Sequence, residues 1–113
     1  MVSLEDLRMY RPMYVPEDYR PDEAYEIEDG IAFDYIDSRG NLLTILITMP
    51  GEGWLIDTEG MDVSEGEYGG EAAFYYYNED ESRYIFSKDG YPMYIIGSLS
   101  YDECIKIANE IKK

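Results

Sequence analysis

The sequence predicts a single α+β domain over residues 1–113. It should be an antiparallel β-meander of about six or seven strands, with a C-terminal helix packed on one face and a short N-terminal helix. Three observations carry that expectation. The turn dipeptides Asp29-Gly30, Gly69-Gly70 and Asp89-Gly90 separate short runs rich in β-branched and aromatic residues. Ser100 and Glu103 stand in the S-x-x-E spacing of a capping box, at the head of the clearest stretch with helical periodicity. No repeat, linker or low-complexity tract divides the chain, and 113 residues suffice for one core.

Ser3 can cap a helix over Leu4–Tyr10, with Glu5 and Asp6 near its positive end, before Pro12 and Pro16 hold the chain extended. Tyr25 and Ile27 alternate with Glu26 and Glu28, as in a strand with one wet face, and Ile31–Ile36 returns after the Asp29-Gly30 turn. Ser38-Arg39-Gly40-Asn41 turns the chain into Leu42–Met49. That segment is the most apolar run and reads as a central strand covered on both faces. Pro50 to Gly53 ends it, Trp54-Leu55-Ile56 is a short apolar return, and Val63–Tyr68 and Ala72–Tyr77 flank Gly69-Gly70. Asn78 to Ser82 is a polar loop before Arg83–Ser87, and Asp89-Gly90 leads into Tyr91–Ile96, where Pro92 requires a strand start or an edge. In the last element Tyr101, Cys104, Ile105, Ala108 and Ile111 form one apolar stripe, and Lys112 and Lys113 complement the negative end of the helix.

Composition removes several functions. The chain has 25 Asp and Glu against 9 Lys and Arg, a net charge of −16, one Cys and no His. An internal disulfide, a zinc site of the Cys/His type and a triad with a histidine base are therefore excluded. Direct nucleic-acid binding lacks its basic face, and no apolar run approaches the ~18 residues that membrane insertion needs. The acidic start, Met1 to Asp6, has no secretory pattern. The expectation is a cytoplasmic protein if the chain is complete as given, and an extracytoplasmic one if it is a fragment of a longer envelope protein.

Two segments resemble a known family. Tyr14-Val15-Pro16-Glu17-Asp18-Tyr19 is similar to a Tyr-x-Pro-Glu-Gly-Tyr motif. Gly90-Tyr91-Pro92-Met93-Tyr94-Ile95-Ile96-Gly97, followed by Ser100 to Ile111, resembles a characteristic ending. Both belong to an uncharacterised bacterial domain family of unknown function, found at the C-terminal extracytoplasmic end of anti-sigma-factor-like proteins and lipoproteins. The resemblance implies a binding or sensing domain outside the membrane and carries no catalytic residues. The chain departs from it at Asp18, where Gly is usual, and at Phe86, where Trp is common, which implies a different turn and altered packing.

The acidic balance has two readings. Residues 52–81 hold ten acids and no Lys or Arg, and residues 17–37 hold nine more against Arg20. Carboxylates fixed on one face, such as Glu26/Glu28 and Glu65/Glu67, would let a small cytoplasmic inhibitor mimic nucleic acid. A solvated face that maintains solubility requires less. Asn78-Glu79-Asp80-Glu81-Ser82 places oxygens at alternate positions, but Arg83 and Asp89 stand where a calcium loop needs Gly and Glu. Weak surface binding of a divalent cation at Glu79 to Glu81 is the most it offers.

Thirteen tyrosines suggest cross-strand packing first and a contact surface second. The candidate contact residues are Tyr75, Tyr77 and Tyr84, with Trp54 as an anchor, although a sole Trp also suits a core. Paired carboxylates for sugar hydrolysis carry no signal in so acidic a chain, and so small a domain offers little cleft for them. Cys104 lies on the helix stripe and reads as core, and no cofactor loop is present. The expected function is non-enzymatic binding or sensing of an unknown protein or envelope ligand. The alternative is the nucleic-acid mimic.

Overall fold

The computed structural model describes residues 2–51 and 57–113. In chain order the elements are helix α1 (Leu4–Leu7), strands β1 (Arg11–Pro12), β2 (Arg20–Ile27), β3 (Gly30–Ile36), β4 (Leu42–Thr48), β5 (Asp62–Tyr68), β6 (Glu71–Tyr77), β7 (Ser82–Lys88) and β8 (Tyr91–Gly97), helix α2 (Tyr101–Asn109) and strand β9 (Ile111–Lys112). Seven strands form one antiparallel sheet in the order β2-β3-β4-β8-β7-β6-β5, and β1 pairs with β9 in a short ribbon. The α+β expectation holds.

The sheet is two meanders joined at β4 and β8. Asp29-Gly30, Gly69-Gly70 and Asp89-Gly90 turn the hairpins as expected. Asp89 at φ 54° and Gly90 at φ 87° supply the two left-handed positions of a type I′ turn. The joint differs from a simple meander, because β8 and not β5 lies beside β4. Four antiparallel steps separate β4 from β5, so the chain between them must cross to the far edge. Arg83 on β7 donates from Nε to the Asp57 carbonyl at 3.2 Å, tying the end of that crossing to the sheet.

Alternation within the strands puts most of the core on one face. Leu43, Ile45 and Ile47 of β4, Met93 and Ile95 of β8, and Tyr84 and Phe86 of β7 are all buried there. Their neighbours Thr44 and Leu46 are half-buried and Leu42 is 58% exposed. β4 is central and closed completely on the side of helix α2 and the N-terminal segment, whereas its other face is covered in part, with Thr48 and the neighbouring Ala32, Tyr94 and Ile85 buried there. Pro92 is tolerated inside β8 because the β4 ladder ends one residue earlier, at Ile47–Met93.

Helix α2 starts on the expected capping box, with the Ser100 side chain accepting from the Glu103 N–H and the Glu103 side chain from that of Ser100. Its inward residues are Cys104, Ile107 and Ala108, spaced i, i+3, i+4. Ile105 is only half-buried, and Ile111 is buried beyond the helix, in β9 opposite Pro12. The stripe therefore centres on Ile107, which pattern reading passed over. Lys88 terminates the helix by donating from Nζ to the carbonyls of Ala108 and Ile111, each at 2.8 Å. A cation at that end also meets the negative pole of the helix dipole.

The N-terminal segment completes the covered face. Ser3 caps α1 by accepting the Asp6 N–H, although the helix ends at Leu7, short of the expected Tyr10. Tyr91 donates its hydroxyl to Asp6 Oδ2 at 2.6 Å, Lys113 donates to Asp6 Oδ1 at 3.0 Å, and Tyr10 donates to Asp89 Oδ2 at 2.6 Å. Arg8 reaches the β2–β3 hairpin, donating to the carbonyls of Ile27 and Gly30. Asp18, where the resemblance implied an altered turn, needs no left-handed backbone and accepts from the Ser38 hydroxyl at 2.9 Å. Phe86 is buried between Tyr84 and Tyr68, with ring centroids 5.1 and 4.9 Å away. Asp37 holds the β3–β4 turn by accepting from the Asn41 amide side chain and from the N–H groups of Arg39 and Asn41. These bonds keep its carboxyl below the usual range.

Two substitutions test this packing. A Cβ on Gly30 would stand 2.1 Å from the Ile47 carbonyl oxygen, which is backbone and cannot swing away. Gly30→Ala should lower stability by about 1–3 kcal/mol in urea unfolding. Ile107→Asp should abolish the cooperative thermal melt, because it puts an unpaired charge in the helix–sheet interface. Ile105→Asp, at the half-buried rim, should leave a measurable transition.

Candidate functional site

β6 carries three consecutive tyrosines, and a strand must send them to opposite faces. Tyr76 lies on the open face near Phe74, with centroids 6.5 Å apart. Tyr75 and Tyr77 share the helix face and stack, with centroids 5.3 Å apart and planes at 21°. Tyr101, the first residue of α2, stands edge-on to both Tyr75 and Tyr84, at 5.7 and 5.8 Å. Tyr75 donates its hydroxyl to the Leu99 carbonyl at 2.6 Å, so the ring is pinned at the helix entrance. Tyr77 and Tyr101 keep 39% and 42% of their surface exposed. The result is a rigid aromatic patch at one end of the sheet.

Tyr84 does not belong to that surface. It is 1% exposed, beneath Tyr101, and this corrects its expected place among contact residues. β7 lies inside the sheet, where a helix-facing side chain is covered, while β6 lies one strand from the edge. Burial, and then the neighbouring Tyr101, push the Tyr84 hydroxyl above the ordinary tyrosine range. Trp54 lies outside the described residues. Tyr101 is the exposed ring of the patch that pattern reading missed, since it counted as a member of the inward stripe. Its place directly after the cap was the available signal, because side chains there sit at the rim of the helix–sheet interface.

Carboxylates ring the patch. Asp62 pairs directly opposite Tyr77, Asp102 follows Tyr101, and Glu79 and Glu81 line a shallow cleft of about 180 Å³ with Tyr75, Ser82 and Ser98. Arg83 is the only basic residue between Arg39 and Lys88, and it pairs with Glu81 at 3.1 Å. The loop before it is an Asx turn, with Asn78 Oδ1 accepting the N–H groups of Asp80 and Glu81 at 2.8 Å each. Among the described residues no three acidic side chains converge on a point where an ion could sit. The remaining acids do not form one row. Asp22, Glu23 and Glu26 lie on edge β2 and Glu65 and Glu67 on edge β5, six strand spacings or about 29 Å apart.

Cys104 sits under the patch, fully buried, and burial pushes its thiol up to about 12. A thiol so held is a packing group and not a nucleophile at neutral pH. The arrangement offers amphipathic rings, hydroxyls and negative charge, which suit recognition of a cationic, partly apolar surface.

The family described as "Domain of unknown function (DUF4367)" matches residues 9–111, and the chain belongs to that family. No curated protein sequence matches it.

The Cys104 environment gives a pH prediction. Its folded value lies above the ordinary thiol value of 9.0, so its stabilising contribution is complete below pH 9.0 and is lost as pH rises toward about 12. Urea unfolding across that window should show a shallower alkaline loss for Cys104→Ala than for the parent, by about 1.4 kcal/mol per pH unit.

Proposed function

We propose that the DUF4367 domain formed by this chain is a non-enzymatic binding domain that recognises a cationic protein partner through Tyr77, Tyr101 and the acids around them. The observation that carries this reading is the fixed orientation of the exposed rings. Stacking on Tyr75 and the Tyr75–Leu99 hydrogen bond immobilise them before any partner arrives, so little side-chain entropy remains to be lost on binding. Rigid tyrosines ringed by one sign of charge are a recurrent form of binding centre.

The setting we infer is the extracytoplasmic part of a bacterial envelope protein of the anti-sigma-factor-like or lipoprotein type, where such a domain would sense a ligand. The likeness of Tyr14 to Tyr19 and Gly90 to Gly97 to that family supports it. Nucleic-acid mimicry draws less support, because the carboxylates divide between opposite edges of the sheet.

Selection of linear peptides on the immobilised domain tests the reading. Enriched peptides should carry Lys or Arg beside apolar residues. They should lose about tenfold or more in affinity for Tyr77→Ala/Tyr101→Ala. Enrichment without basic residues, or peptides that bind the double variant as well as the parent, would reject it.

A further inference from the structure

We propose that β5 is a peptide-accepting edge, taking a Lys- or Arg-bearing extended segment of a partner protein as an added strand. This rests on the binding reading above and names the partner's form. The sheet has two edges of different build. On β2, Pro21 lacks an N–H and the register breaks between Pro21 and Glu23, so the outer row of donors and acceptors is interrupted. β5 runs in unbroken register from Asp62–Tyr77 to Tyr68–Glu71, contains no proline or bulge, and exposes six of its seven residues. An edge strand of that kind turns unpaired backbone groups outward over its whole length.

Charge decides what can occupy it. A second copy of this chain would bring another acidic edge, either β5 with Glu65 and Glu67 or β2 with Asp22, Glu23 and Glu26. Like charges opposed across a ladder repel, so the edge resists self-association and favours a basic strand. On the face away from α2, β5 presents Val63, 48% exposed, followed at alternate positions by Glu65 and Glu67. Facing side chains of an added strand would lie about 5 Å away, which calls for one apolar residue and two basic ones at alternate positions. On the helix face Ser64 and Gly66 are small, and the site of a Gly66 Cβ lies 3.9 Å from the Tyr101 hydroxyl. Tyr101 thus overhangs the edge, and side chains of the added strand on that face would rest against the aromatic patch. Main-chain bonds would supply affinity, and alternate side chains would supply selectivity.

The test uses a synthetic peptide of alternating Val and Lys about as long as β5. Its controls are the same peptide N-methylated at alternate amides and a version with Glu for Lys. Amide exchange across residues 62–68 should slow by about tenfold or more when the Val/Lys peptide is saturating, and both controls should fail to bind. Glu65→Lys/Glu67→Lys, changed at exposed positions, should weaken binding about tenfold. Peptide binding that perturbs Tyr77 and Tyr101 while β5 amides exchange as in the free domain, or that survives N-methylation, would overturn strand addition and leave the aromatic-patch reading standing. Absence of binding by the Val/Lys peptide would overturn the edge proposal. In that case peptides selected on the domain would still decide the broader reading independently.

Discussion

Helix α2 can bury its apolar stripe against only one face of the sheet, and most of the architecture follows from that one-sided closure. Cys104, Ile107 and Ala108 are buried in the core between helix and sheet, and the N-terminal segment adds Leu7 and Tyr10 to the same core. Polar ties hold the helix in place, among them the Leu99 N–H donated to the Ser82 hydroxyl oxygen of β7 at 2.9 Å. Tyr75 donates to Leu99 before its start, Tyr68 donates to Asn109 near its end at 2.9 Å, and Lys88 occupies its terminal carbonyls. Each bond joins a sheet side chain to the helix or the residues flanking it, so the interface is positioned by geometry as well as by burial.

A net charge of −16 must be kept out of such a core, and the strand order does this. The acidic strands β2 and β5 are the two edges, while the apolar β4 and β8 meet near the centre. The few buried or half-buried carboxylates have specific donors, with Asp37 accepting from the turn it closes and Asp6 from Tyr91 and Lys113. Edge acids remain hydrated, where mutual repulsion is screened by solvent and salt. The same placement sets the outer edge of β5 among Asp62, Glu65 and Glu67, and the Tyr101 hydroxyl near Gly66 joins that edge to the aromatic patch.

Local chemistry made most of the elements legible. The Asp89-Gly90 turn and the Ser3 and Ser100 caps depend on neighbours within a few residues, and all were readable. The aromatic patch was only partly so. Tyr75 and Tyr77 could be placed on one face by strand alternation, but Tyr84 has the same alternation and the same chemistry, and only its place inside the sheet buries it. Tyr101 reads as an inward residue on a helical wheel, yet remains at the rim because the helix begins there.

From the sequence alone came the fold class, the hairpin turns, the capped helices, the absence of histidine and disulfide chemistry, and the acidic surplus. Each is a matter of residue type and short-range spacing. Which strands are edges, that β8 and not β5 lies against β4, and that Ile107 rather than Ile105 faces the sheet were decided by tertiary structure. Those outcomes depend on pairings between residues tens of positions apart, whose relative free energies no short-range pattern encodes.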